Sequence, residues 1–198
     1  MAAAPPEFLL QSWQIEEGLP HNIVNAIHQT RNGYLWLGTG AGLARFDGSR
    51  FTVFNRWNTP AMVNDECLAF AEDLDGTLWI GTYKGLLCYR DATLSRRTTE
   101  DGSGDEIRHL CASREGGVWL AGPKGLWLFR GDKFRRFSPR DGLSHEQINA
   151  MGKDAAGRFW IGTGNGRLRC FEPDTLSFRL VAATKISPTP SELPVPGV

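Results

Sequence analysis

General acid–base chemistry or metal binding at neutral pH would fall first to histidine, and the chain has four: His21, His28, His109 and His145. His21 and His145 each stand fifteen residues before a tryptophan, Trp36 and Trp160, so they occupy one register. His28 and His109 stand in two other registers, inside apolar runs that read as strands, and are poor partners for a single site. Cys67, Cys88, Cys111 and Cys170 form no C-x-x-C pair and have no histidines at zinc-finger spacing. They read as buried free thiols that replace small hydrophobes. Gly38, Gly40 and Gly42 give G-x-G-x-G, which matches neither fingerprint of a phosphate-binding loop. "DLDG", Asp73 to Gly76, resembles the start of a calcium loop but lacks the remaining ligands. No nucleophile, base and acid stand together, so no catalytic residue, metal or cofactor is expected.

The composition narrows the partners. Among 198 residues, 22 basic and 22 acidic side chains cancel, without the clustered positive field that nucleic acid needs. Arg96-Arg97 and Arg135-Arg136 fall in or beside outer strands, where they read as solvated, edge-protecting charge. No apolar run is long enough to cross a membrane as a helix. The opening "MAAAPPEFLLQSW" lacks the basic start and long apolar core of a signal peptide.

The glycines and tryptophans belong to a repeat. "YLWLGTGAGLARFDG" from Tyr34 returns as "TLWIGTYKGLLCYRD" from Thr77, "GVWLAGPKGLWLFRG" from Gly117 and "RFWIGTGNGRLRCFE" from Arg158. Trp36, Trp79, Trp119 and Trp160 are spaced by 43, 40 and 41 residues, the period of a propeller blade. Each has a glycine three residues before it and another six after it (Gly42, Gly85, Gly125, Gly166). Within the first repeat, "NIVNAIHQ", "YLWLGT", "LARF" and "RFTVF" read as four strands joined by Asn-Gly, Gly-Ala-Gly and Asp-Gly turns. The second strand is apolar almost throughout, as a sheet packed on both faces requires. The fold class is all-β: propeller blades of four antiparallel strands over residues 18–57, 58–100, 101–141 and 142–181.

The repeat resembles the two-component regulator propeller family. "GLPHNIVNAIHQTRNGYLWLGTGAGLARFDGSRFTVF", Gly18 to Phe54, carries its G-L-P start, apolar strand, turn and L-W-[IL]-G-T-x-x-G-L core. The third repeat departs from it at Ala121-Gly122, and the fourth at Arg167, where the pattern has leucine. The resemblance covers about residues 7 to 181. It implies the extracytoplasmic, non-catalytic sensor portion of a bacterial histidine kinase, hybrid two-component protein or diguanylate cyclase, in propellers usually larger than four blades. A second class stays open: the repeats also resemble those of streptogramin lyases, whose chemistry would need convergent histidine and acid groups with a metal. A structural assembly module is a third.

Two features bear on completeness and on ligands. Aligning Gly18-Leu19 with Gly142-Leu143 places Leu9 to Trp13 on "KFRRF", an outer strand, so residues 7–17 read as a spare outer strand whose blade is not among the four. A partial propeller is expected, completed by further blades or by another copy of the chain. Residues 182–198, rich in proline, read as a linker. Loops leading into first strands and loops joining second to third strands share one face, which gathers His21, Asn22, Asn64, Tyr83, Lys84, Lys124, His145, Glu146 and Asn165. A polar, partly aromatic rim of this kind suits a saccharide or a peptide.

Overall fold

The computed structural model describes residues 10–98, 106–143, 147–173 and 175–183. Among the described residues sixteen strands form four separate four-stranded antiparallel sheets, each in chain order. Blade 1 holds β1 (Val24–Gln29), β2 (Leu35–Thr39), β3 (Gly42–Phe46) and β4 (Phe51–Phe54). Blade 2 holds β5 (Cys67–Glu72), β6 (Leu78–Thr82), β7 (Gly85–Arg90) and β8 (Thr93–Arg97). Blade 3 holds β9 (His109–Ala112), β10 (Val118–Gly122), β11 (Gly125–Arg130) and β12 (Lys133–Phe137). Blade 4 holds β13 (Ile148–Lys153), β14 (Phe159–Thr163), β15 (Arg167–Glu172) and β16 (Ser177–Ala183).

The blades stack through one recurring contact. The tryptophan face of each blade meets the opposite face of the next, and each of the three junctions buries its own apolar cluster. Trp36 and Leu43 of blade 1 pack with Cys67, Leu78, Ile80 and Leu87 of blade 2. Trp79 and Leu86 pack with Ile107, Val118, Leu120 and Phe129. Trp119 and Leu126 pack with Ile148, Phe159, Ile161 and Phe178, and the Trp119 ring stacks on Phe159 at 4.6 Å. Burying each such side chain contributes roughly 1.5–3 kcal/mol.

The packing is close enough to demand glycine where the second strand passes the next blade. A Cβ on Gly81 would stand 2.7 Å from the Ile107 carbonyl oxygen, and one on Gly38 3.0 Å from that of Cys67. The third repeat departs here: Ala121 takes the place of Gly38 and Gly81, and glycine follows it at Gly122, where a Cβ would run into the Glu106 carbonyl of the same blade.

The arc is open. Inner strands pack in series, β1 on β5, β5 on β9 and β9 on β13, and β13 makes no comparable contact with β1. One register position records this: Cys67, Ile107 and Ile148 are at most 5% exposed, whereas Val24 is 40% exposed. At the other end Trp160 is only half-buried, unlike the other three repeat tryptophans, and Gly162 faces no following blade.

The spare outer strand is not formed among the described residues. Residues 10–14 carry no strand, and Ile15–Glu17 make a 3-10 turn that ends on Gly18 in the left-handed conformation at φ 101°. An outer strand needs the third strand of its own blade as a hydrogen-bonding partner, and β15 already pairs with β16. The alignment still locates the side chains. Trp13 meets Phe46 edge-on at 5.2 Å, as Phe137 at the equivalent position meets Phe171 at 6.0 Å.

Candidate functional site

Glycine at the second-to-third turn and a threonine just before it shape the face where the proposed binding residues gather. Thr39 and Thr82 donate to the carbonyls of Gly42 and Gly85 at 2.8 and 2.9 Å, closing these turns. The loops leading into first strands lie against them: the Tyr83 N–H donates to the Glu66 carbonyl at 3.1 Å, and Gly164 N–H to Gln147 at 2.8 Å.

The residues read as a rim divide into two groups. Tyr83, Lys84, Lys124 and Asn165 stand exposed at the turn tips, with the Lys84 ammonium 5.7 Å from the Tyr83 ring centre. His21, Asn22 and Asn64 instead serve their own loops. His21 Nδ1 accepts from Ile23 N–H at 3.0 Å, Asn22 Oδ1 from Ile15 N–H at 3.0 Å, and Asn64 Oδ1 from Glu66 N–H at 2.9 Å. His145 and Glu146 lie outside the described residues. A cavity of about 410 Å³ opens on this face beside Lys124, Arg136, Ser138, Pro139, Leu143 and Ile148.

Two arginines read as edge charge act on this face. Arg96 and Arg136, at equivalent outer-strand positions, donate to the carbonyls of Lys84 and Lys124 at 3.2 and 3.0 Å. They brace the two lysine-bearing turns. Their equivalent places in β8 and β12, each across the sheet from a turn lysine twelve residues earlier, are the sequence signal that points to this.

The other candidate chemistry is dispersed. His28 and His109 sit on inner strands two blades apart, and burial lowers the pKa of both, against the pull of Glu72 for His28 and with Arg108 adding for His109. Burial pushes the Cys67 thiol up to about 12, so it stays protonated. Cys88 and Cys170 are buried as well, whereas Cys111 is only half-buried. Asp73, read only as a turn residue, also holds the core tryptophan: its Oδ2 accepts from Trp79 Nε1 at 2.8 Å. Asp154 holds Trp160 in the same way at 2.9 Å.

Residues 18–41 and 142–165 match the two component regulator propeller model, at the start of the first and fourth repeats. The chain therefore carries repeats of that kind. Among solved structures, the extracellular domain of the hybrid two component system BT3049 from B. thetaiotaomicron matches with a TM-score of 0.71 and 23% identity. That match covers 90% of this chain and 25% of the other. The corresponding domain of BT4673 matches at 0.69 and 19%, over 85% and 25%. Virginiamycin B lyase from Staphylococcus aureus matches at 0.67 and 10%, over 85% and 58%. These likenesses establish the propeller fold, of which this chain spans about a quarter of the length of the first two domains. No curated protein sequence matches the chain. No helix among the described residues is long and apolar enough to cross a membrane.

Proposed function

We propose that this chain is part of the non-catalytic, extracytoplasmic sensor propeller of a bacterial two-component signalling protein, and that its loop face binds a saccharide or a peptide. The observation that carries the reading is the pair of regulator propeller matches, in register with the tryptophan repeat. The likeness to extracellular domains of hybrid two component systems supports the same assignment. Mechanistically, the turns of neighbouring blades stand side by side, braced by Arg96 and Arg136. A ligand that bridges two blades favours one arrangement of the pair over others, and that differential affinity is what would bias an attached output module.

Amide exchange of the chain with and without a panel of neutral oligosaccharides and short peptides tests the site. Ligand-dependent protection at Tyr83, Lys84 and Lys124 is expected; protection confined to the opposite face, or none with any member, would overturn it. The lyase reading rests on a 10%-identical structure, which carries the fold alone. Dialysis against chelator followed by metal analysis separates the two, since stoichiometric Mg²⁺ or Mn²⁺ would favour the lyase.

A further inference from the structure

Three grooves run between neighbouring blades on the hairpin side of the arc, opposite the loop face, and they are built from equivalent positions of the repeat. In the first groove an arginine and a glutamate face each other. The Arg31 N–H donates to Glu72 at 3.0 Å, and its guanidinium Nε lies 3.9 Å from the same carboxylate. Arg45 fills the space between the blades, with its guanidinium 4.5 Å from the Tyr34 ring centre and donating to the Tyr89 hydroxyl at 2.7 Å. In the second groove the positions of Arg31 and Glu72 carry Leu74 and Ala112, so the scaffold itself requires no charge there.

The third groove reverses this pattern. Arg114 and Lys153 take the places of Arg31 and Glu72, which turns an ion pair into two cations. Leu128 and Phe171 take the places of Arg45 and Tyr89, which removes the polar plug. A cavity of about 340 Å³ is left, with Leu128, Phe171 and Leu176 at its apolar wall and Arg114, Lys133 and Lys153 at its rim. Other bases around it are already paired: Arg130 with Glu115, Arg135 with Asp141 at 3.2 Å, and Arg158 with Asp154 at 2.6 Å. Among the described residues no carboxylate lies within ion-pair distance of Arg114, Lys133 or Lys153.

We propose that the groove between blades 3 and 4 binds a small organic anion with an apolar body, its charge among the three cations and its body against Leu128 and Phe171. The volume lies at the small end of the range for ligand sites. Apolar contact offsets ordering costs, and the cations, brought together by the fold, lose their mutual repulsion when an anion arrives.

The probe is 2-naphthoate, titrated calorimetrically into the full chain at low salt, beside neutral 2-naphthamide and inorganic phosphate. One 2-naphthoate per chain is expected. Lys153→Glu should weaken it at least tenfold by restoring the first groove's pair, and Leu128→Glu should abolish it by setting a carboxylate in the apolar wall. The Lys153→Glu pair is one the first groove already accommodates, and thermal melts report the folding of both variants. Arg50→Glu, on the exposed hairpin of blade 1, changes net charge as much as Lys153→Glu and should leave binding unaltered. Four results would overturn the proposal: no saturable 2-naphthoate binding, equal affinity for 2-naphthamide, equal affinity for phosphate alone, or equal weakening by Arg50→Glu and Lys153→Glu.

Discussion

Two turn carboxylates are held in the ionised form by their hydrogen bonds. The backbone N–H of Arg50, helped by Ser49, holds Asp47 down to about 2. The Trp160 indole N–H, helped by Arg158, holds Asp154 down to about 2 as well. Both folded-state values lie below the ordinary carboxylate value, so their stabilisation is complete above about pH 4 and is lost as pH falls toward 2. Urea midpoints measured from pH 5 to pH 2 should fall along that range, and Asp154→Asn should flatten the fall; an unchanged slope would show that Asp154 is not a source. The turn at "DLDG" was legible from its residues, whereas the bond from Asp73 to Trp79 was not. The six-residue spacing shared by Asp73–Trp79 and Asp154–Trp160 is the signal that reveals it.

Strands were legible because turn glycines and apolar runs recur in register, so β2, β6, β10 and β14 fall where the tryptophans put them. Packing on both faces was legible from the apolar second strands, but that blades 1 and 4 are each covered on one face only was not, because a strand's pattern says nothing of what lies against it. Over the described residues 10–17 the expected outer strand is not formed, for the same reason: the residues are placed for pairing, but pairing needs a third strand. Gly81 and Gly162 separate pattern from packing, since they are equivalent in sequence. Gly81→Ala puts a methyl into the Ile107 backbone and should cost about 1–3 kcal/mol. Gly162→Ala meets only Ala150, at 3.8 Å, and should be close to neutral by urea unfolding. Equal costs would mean that something covers blade 4 in solution.

The whole molecule is an arc with two unlike ends. Val24 and Ile27 are 40% and 62% exposed at one end, and Trp160 and Arg167 are half-exposed at the other. Val24→Asp should therefore cost at most about 1 kcal/mol, while Ile107→Asp, the same repeat position at 5% exposure, should cost more than about 3 kcal/mol. Comparable losses in chemical denaturation would show that the first blade is occluded. That the loops into first strands and the second-to-third turns share a side was legible from topology alone, because antiparallel connectivity fixes it. The charge reversal between the first and third grooves was not, because it depends on side chains 41 and 39 residues apart meeting across blades.

Blades 2 and 3 are gripped on both faces, and blades 1 and 4 on one. Such a molecule behaves as a short linear array with nearest-neighbour coupling. Peeling an end blade severs one junction, whereas opening a middle blade severs two, so unravelling starts at the rims and the backbone amides of β6 and β10 are the last to meet solvent. A closed ring has no rim at which to begin, and closure would therefore protect first those blades that are now the weakest.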